Sequence, residues 1–210
     1  MTYKGLIVDF GGVLTTPLQN AMVDFANEHD IELQDLVRAA LRAYSGGEDD
    51  LVVRFETGRL SEAEFALGFA QRLSEATGAE IEAEGLLERL FGTLALEEDM
   101  IVAVERARQS GFKTALLSNS WGMGLYPRRI LDRICDVVVI SGEVGLRKPD
   151  PAIFTMTTDQ LSLEPETCVF VDDHPGHLKA AQAAGMTTVL HKTPPETISE
   201  LEGLLGLSLA

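Results

Sequence analysis

Several short stretches of this sequence end in groups able to do chemistry. Lys4 to Thr16 reads KGLIVDFGGVLTT: the apolar run Gly5-Leu6-Ile7-Val8 ends in the carboxylate of Asp9, and Gly11 and Gly12 follow closely. Thr114-Ala115-Leu116-Leu117 ends in Ser118-Asn119, and Thr167-Cys168-Val169-Phe170-Val171 ends in the acid pair Asp172-Asp173. Lys148 stands in the loop Gly145 to Pro151, just ahead of a helical pattern. An acid at the carboxyl end of a buried strand, beside glycines that leave room for a ligand, is a candidate nucleophile or metal ligand. Each group also has a plain structural reading. Asp9 can cap a strand turn, the acid pair can cap the next helix, Ser118-Asn119 can form a turn, and Lys148 can be a solvated surface lysine. The ordered set is much harder to produce by chance than any one member.

The groups converge only if the runs that carry them are strands of one parallel sheet, whose ends share an edge. Short continuous apolar runs are the mark of strands buried on both faces. Beyond those already named, Asp136 to Ile140 and Thr187 to Leu190 read as strands. Between them lie helical patterns: Met100 to Gln109, Pro127 to Arg133, Ala152 to Leu161 opened by Pro151, Leu178 to Ala184 closed by Gly185, and Glu196 to Leu205. Strands alternating with helices predict an α/β fold, a Rossmann-like parallel sheet with helices on both faces. From about Pro17 to Thr93 the pattern is helical throughout. Leu18, Met22, Phe25 and Ala26 recur at helical spacing, as do Leu33, Leu36, Val37, Ala40 and Leu41, before a break at Ser45-Gly46-Gly47. Ser61 with Glu64 forms a capping box for a helix carrying Phe65, Phe69 and Leu73 and ended by Gly78. A further helix holds Ile81, Leu86, Leu87, Leu90 and Phe91. The expected organisation is a discontinuous core domain, residues 1–15 and 94–210, interrupted by an all-helical domain, residues 16–93.

The composition narrows the partners. Apolar residues make up 45% of the 210, as in a globular protein, and the formal net charge is −16, from 33 acidic against 17 basic residues. Such a surface repels a nucleic-acid backbone and anionic lipid alike, though one local site can still take an anionic small molecule. Cys135 and Cys168 both fall in apolar stretches and read as buried free thiols. The chain opens directly into a strand, and it contains no run of eighteen apolar residues. The reading is a soluble, cytoplasmic protein, monomeric or homodimeric, that touches neither nucleic acid nor membrane.

Asp9-Phe10-Gly11-Gly12-Val13-Leu14, Leu116-Leu117-Ser118-Asn119, Lys148-Pro149 and Val171-Asp172-Asp173 resemble the four motifs of the haloacid dehalogenase-like hydrolase superfamily. The helical block between the first two motifs has the place and length of a type-1 cap. The segment Phe55 to Ser61, with Phe65, is similar to a cap turn in the subgroup that includes sugar-phosphate phosphatases and the N-terminal phosphatase domain of soluble epoxide hydrolase.

The resemblance implies a Mg²⁺-dependent phosphatase of a small phosphorylated metabolite. Asp9 would attack phosphorus and form an aspartyl-phosphate. The metal would take oxygen from Asp9, the main-chain carbonyl of Gly11, and Asp172 or Asp173. Gly12, Ser118, Asn119 and Lys148 would hold the phosphoryl group, and Lys148 would also neutralise charge on Asp9. One position departs from the family pattern: Gly11 stands where its phosphatases carry a second Asp that serves as general acid and base, help worth ~10²–10⁴-fold. His177 stands where the family often has Asn; His177 or its neighbour His174 could replace the missing acid or simply line the rim. Gly11 keeps open a non-catalytic phospho-ligand-binding protein. A 2-haloacid dehalogenase also lacks that acid, but it needs no metal, and the Asp172-Asp173 pair would burden a metal-free site. Arg54, Glu56 and Arg59 beside the cap turn are candidates for substrate contact, though exposed helix-end charge is their plainer reading.

Overall fold

The computed structural model describes residues 2–43 and 50–209, with the side chains of residues 41–43 and Met123 left aside, so the break expected at Ser45-Gly46-Gly47 and the side chain of Leu41 lie outside the described residues. The chain begins with β1 (Gly5–Val8). It then runs through α1 (Leu18–Glu28), α2 (Leu33–Ala43), α3 (Leu51–Glu56), α4 (Glu62–Thr77) and α5 (Leu86–Phe91). The alternating part follows: α6 (Glu98–Gln109), β2 (Lys113–Ser118), α7 (Arg128–Ile134), β3 (Val137–Ile140), α8 (Ser141–Val144), α9 (Pro151–Leu161), β4 (Cys168–Asp172), α10 (Pro175–Ala183), β5 (Thr187–Leu190) and α11 (Pro194–Leu205).

The strands form one five-stranded sheet in the order β3-β2-β1-β4-β5, and every neighbouring pair is parallel. Side chains alternate across it with the period of two that a pleated strand imposes. Leu6, Val8 and Leu116 face a cluster built with α6, α7 and α11, whereas Ile7, Ala115 and Leu117 face another built with α9 and α10. Helices therefore cover both faces, and the strands need no polar side, as their sequences predict. Cys135 and Cys168 are buried and unpaired, and burial pushes the Cys168 thiol up to about 11.

Helices α1 to α5 bury a separate cluster around Phe25, Leu36, Phe55, Phe65, Phe69 and Leu73. Phe65 stacks on Phe55 with ring centroids 4.1 Å apart and lies 5.4 Å from Phe69. The capping box at the start of α4 is present in full, and Gly78 ends the helix in the left-handed conformation it was expected to adopt. The last helix of the block is shorter than its apolar pattern: Ile81 is buried but precedes α5, which begins only at Leu86. The chain leaves the sheet and returns to it side by side. Thr15 and Leu96 form an antiparallel bridge, with Thr16 N–H donating to Ala95 O (2.8 Å) and Glu97 N–H to Leu14 O (2.9 Å). A second tie is Trp121, in the loop after β2, whose ring reaches into the helical cluster 5.5 Å from Phe91 and 6.4 Å from Phe65.

Candidate active site

Strand register decides which of the chemical groups can meet. Val8 is paired with Leu116 on one side and with Val171 on the other. Asp9 therefore follows at the level of Asp172, and its N–H donates to Val171 O at 2.9 Å. Ser118 ends β2 on the same edge. The loop carrying Lys148 closes over that edge, since the Asn119 side chain clasps the Lys148 backbone from both sides. Its Oδ1 accepts the Lys148 N–H (2.8 Å), and its Nδ2 donates to Lys148 O (3.0 Å).

Lys148 is fully buried, with its Nζ 2.9 Å from Asp9 Oδ1 and 2.7 Å from Asp172 Oδ2. Burial pulls its pKa down, but the two carboxylates outweigh burial and the net direction is up. Asp9 is pushed above the usual carboxylate range: burial dominates, Lys148 opposes it, and Asp172 adds repulsion. Asp172 moves the other way. Burial would raise it, but Lys148 and His177 hold it well below.

The two acids of the pair have different places. Asp172 is fully buried, and besides Lys148 it accepts the His174 N–H on Oδ1 (2.7 Å) and lies 3.1 Å from His177 Nδ1 through each oxygen. Asp173 is exposed at the wall of the pocket. Its carboxylate packs against Gly12, where an added Cβ would come within 2.5 Å of Oδ2. Gly12 also has φ +74°, so both its conformation and this close approach call for glycine. Partial loss of water and the charge of Asp172 raise Asp173. His174 N-caps α10, its Nδ1 accepting the Gly176 N–H (3.1 Å), and its ring lies 4.5 Å from that of His177. Burial lowers the pKa of His177 in spite of Asp172.

A cavity of about 470 Å³ opens over this edge. Asp9, Gly11, Ser118, Asn119, Asp173, His174 and His177 line it. Phe10, Leu18, Leu94, Trp121, Leu125, Tyr126 and Pro149 make most of the rest apolar. Sequence reading missed two features. The Tyr126 hydroxyl lies 2.9 Å from Ser118 Oγ, and nothing in the irregular segment around Tyr126 signals this. Glu56, expected as exposed helix-end charge, is instead 1% exposed, lines the cavity and pairs with Arg147. The plainer reading fails for Glu56 because α3 ends against the sheet edge; it holds for Arg59, which is exposed.

The donors at this edge suit a hard divalent cation. Three carboxyl groups, Asp9, Asp172 and Asp173, stand around one lysine, so acidic oxygens outnumber the cationic side chain at this edge. Oxygens of Asp9 and Asp173 and the Gly11 main chain share the cavity wall. Asp9, Asp172 and His177 also bring ligand atoms within 4.8 Å of one another, but the oxygens of Asp172 are already engaged by Lys148, His174 and His177.

Relatives agree with the geometry. The mouse protein named acyl-CoA dehydrogenase family member 10 is 30% identical over 99% of this chain, which covers 20% of that protein. Pig bifunctional epoxide hydrolase 2 is 26% identical over the whole chain, which covers 40% of it. The chain thus spans only a fifth to two fifths of these curated relatives. A HAD family enzyme from Bacteroides thetaiotaomicron, solved with magnesium and inorganic phosphate, shares the fold with a TM-score of 0.67 at 22% identity, over 90% of this chain and 94% of that one. Among the described residues, no helix is long and apolar enough to cross a membrane. A family model described as haloacid dehalogenase-like hydrolase matches residues 3–185, from before the first strand to the helix after the acid pair, and the chain belongs to that family.

Proposed function

We propose that the protein is a Mg²⁺-dependent phosphatase of a small phosphorylated metabolite, with residues 1–15 and 94–210 as the core domain and residues 16–93 as a cap that closes the cavity. The observation that carries this reading is the buried Lys148 bridging Asp9 and Asp172 behind the Asp9 that lines the cavity. An anion-binding charge is thereby built into the same edge as a carboxylate nucleophile. The bound magnesium and inorganic phosphate of the Bacteroides thetaiotaomicron enzyme are consistent with it.

Asp9 attacks phosphorus through a carboxylate oxygen. The bond from phosphorus to the ester oxygen breaks, and that oxygen leaves as the alkoxide or phenoxide and takes its proton from water; a second water then hydrolyses the acyl phosphate and restores Asp9. Lys148 offsets charge on Asp9 and on the phosphoryl oxygens. The Ser118 hydroxyl, set by Tyr126, and the main-chain N–H of Asn119 hold those oxygens, because the Asn119 side chain is committed to Lys148; the Gly12 N–H, expected from the sequence to share this role, donates to Thr15 Oγ1 instead (3.1 Å), and Gly12 serves by leaving room beside Asp173. Asp9, the Gly11 carbonyl and Asp173 would hold the metal, while Asp172 anchors Lys148 and His177 behind them. When bound, Mg²⁺ screens the nucleophile from the charge of its substrate.

The test is phosphate release from a panel of phosphomonoesters with Mg²⁺ and with EDTA. Release that requires Mg²⁺ and disappears in Asp9→Asn is the expected result. Asp9→Asn should fold, since the amide keeps the shape of the side chain and Lys148 keeps Asp172 as its partner at 2.7 Å. Chloride or bromide release from 2-haloacids without metal would establish the dehalogenase instead. Phosphate binding with no turnover on any substrate would establish the binding protein that Gly11 keeps open.

A further inference from the structure

Glu56 closes α3, within the helical block, yet its contacts lie on the sheet edge. Its carboxylate pairs with the guanidinium of Arg147, the residue before Lys148, and lies 3.5 Å from Asn119 Nδ2. Its main-chain carbonyl accepts the Ser141 hydroxyl, whose oxygen in turn accepts the Ser120 N–H at 2.8 Å. Two residues on, Gly58 sits against the start of α8 so closely that an added Cβ would stand 2.3 Å from Gly142 O. The end of α3 therefore engages the loop after β2, the start of α8 and the loop of Lys148 together. A carboxylate buried to 1% is costly unless paired, so Glu56 and Arg147 hold each other in place.

We propose that Glu56 is a positioning residue of the active site: brought by the helical block, it fixes Arg147 and Asn119, and through them the placement of Lys148, only while the block is docked. This rests on the phosphatase reading for its catalytic readout. Asn119 links the two halves of the device, since the amide that approaches Glu56 is the one that clasps the Lys148 backbone. Docking of the block then both covers the cavity and completes the phosphoryl-binding edge, which couples closure to chemistry.

The experiment uses the full chain as wild type, Glu56→Gln, Arg147→Gln, the double variant and Glu56→Asp. It measures Mg²⁺-dependent hydrolysis of p-nitrophenyl phosphate, amide hydrogen exchange and thermal melting. Each single Gln variant should lose about tenfold or more in kcat with KM changed less than about threefold, the signature of lost transition-state placement. The double variant should be no worse than the poorer single one, because both act through one pair. Glu56→Asp, which keeps the charge, should recover part of the loss. Exchange should quicken at residues 118–122 and 145–150 and not over the whole sheet. Single variants with kcat near wild type, losses that multiply in the double variant, or exchange raised evenly along the chain would overturn the proposal. If the wild type releases no phosphate, the phosphatase reading has failed, and the exchange pattern alone decides the role of Glu56. If Glu56→Gln does not fold, Glu56→Asp carries the same measurements.

Discussion

At position 11 a hydrogen stands where a carboxylate would donate the leaving-group proton, and the backbone does not demand it. Gly11 lies outside the left-handed region, and the atoms nearest an added Cβ would be those of the Leu18 side chain, at 3.3–3.6 Å, a contact that leucine can relieve by a small shift. Gly12 is the contrary case, held to glycine by its φ and by Asp173. Gly11→Asp is therefore expected to fold and to raise kcat/KM on alkyl phosphates such as phosphoserine more than on p-nitrophenyl phosphate, whose leaving group needs no proton. The selective gain has a ceiling of ~10²–10⁴-fold. Steady-state rates on the two substrates, with a melting curve of the variant, provide the check. A folded variant with equal change on both would show that the proton already comes from elsewhere, His177 and His174 being titratable groups that also line the cavity.

The turn between α3 and α4 carries two features that sequence alone presents alike. Ser61 satisfies the first turn of α4 through its side chain, and Glu64 returns to the Ser61 N–H at 2.9 Å. Ser61→Ala should cost about 1 kcal/mol, a fall in Tm of roughly 2–4 °C for a chain of this size, with kcat unaffected, since Ser61 and Glu64 lie outside the cavity. Gly58→Ala should do more. It combines a φ of +71° with a contact of 2.3 Å to the backbone of Gly142, which cannot step aside as a flexible side chain would. It is expected to separate the end of α3 from α8, lowering both Tm and kcat. Parallel melting and kinetics on the two variants distinguish helix capping from seating of the block.

Over the whole molecule the charge is −16, so most surface acids repel one another and ordered pairs of opposite sign carry unusual weight. One such pair lies at the opposite edge of the sheet from the active site. Asp136 lies 3.0 Å from Arg108 Nη2, and it also accepts the Thr114 N–H at 3.0 Å. Slight burial raises its pKa, but the Thr114 N–H and the Arg108 guanidinium outweigh burial and the net direction is down. A carboxyl group lowered in the folded state contributes stability above its unfolded pKa and loses that contribution as pH falls through the folded value. Asp136→Asn should therefore melt below wild type at neutral pH, and the gap should close as pH drops below the ordinary range of Asp, about 4. Melting curves across that range test it; a gap constant with pH would mean that packing, not charge, makes the difference. Added salt should narrow the gap as well, because the pair is partly exposed.

The sheet was legible because parallel strands buried on both faces need continuous apolar runs, and Gly5–Val8 and the run from Cys168 to Val171 are just that. The groups that end those strands followed from the same fact: a chemical residue at the last position of a buried strand has nowhere to stand but the shared edge. The capping box at Ser61 and the stop at Gly78 were legible for a local reason, since each is satisfied within a few residues of itself. Glu56 with Arg147, Tyr126 with Ser118 and the unequal places of Asp172 and Asp173 were not. Glu56 and Arg147 are 91 residues apart, and whether a charge beside a turn faces water or a partner depends on how the helical block sits on the sheet. Asp172 and Asp173 are neighbours of the same type, and only the pleat of β4 turns one inward to Lys148 and the other outward to the cavity. Hydrophobic period and strand-end chemistry are local and survive in a string of letters; the pairing of distant charges is created by packing, and tertiary structure alone decides it.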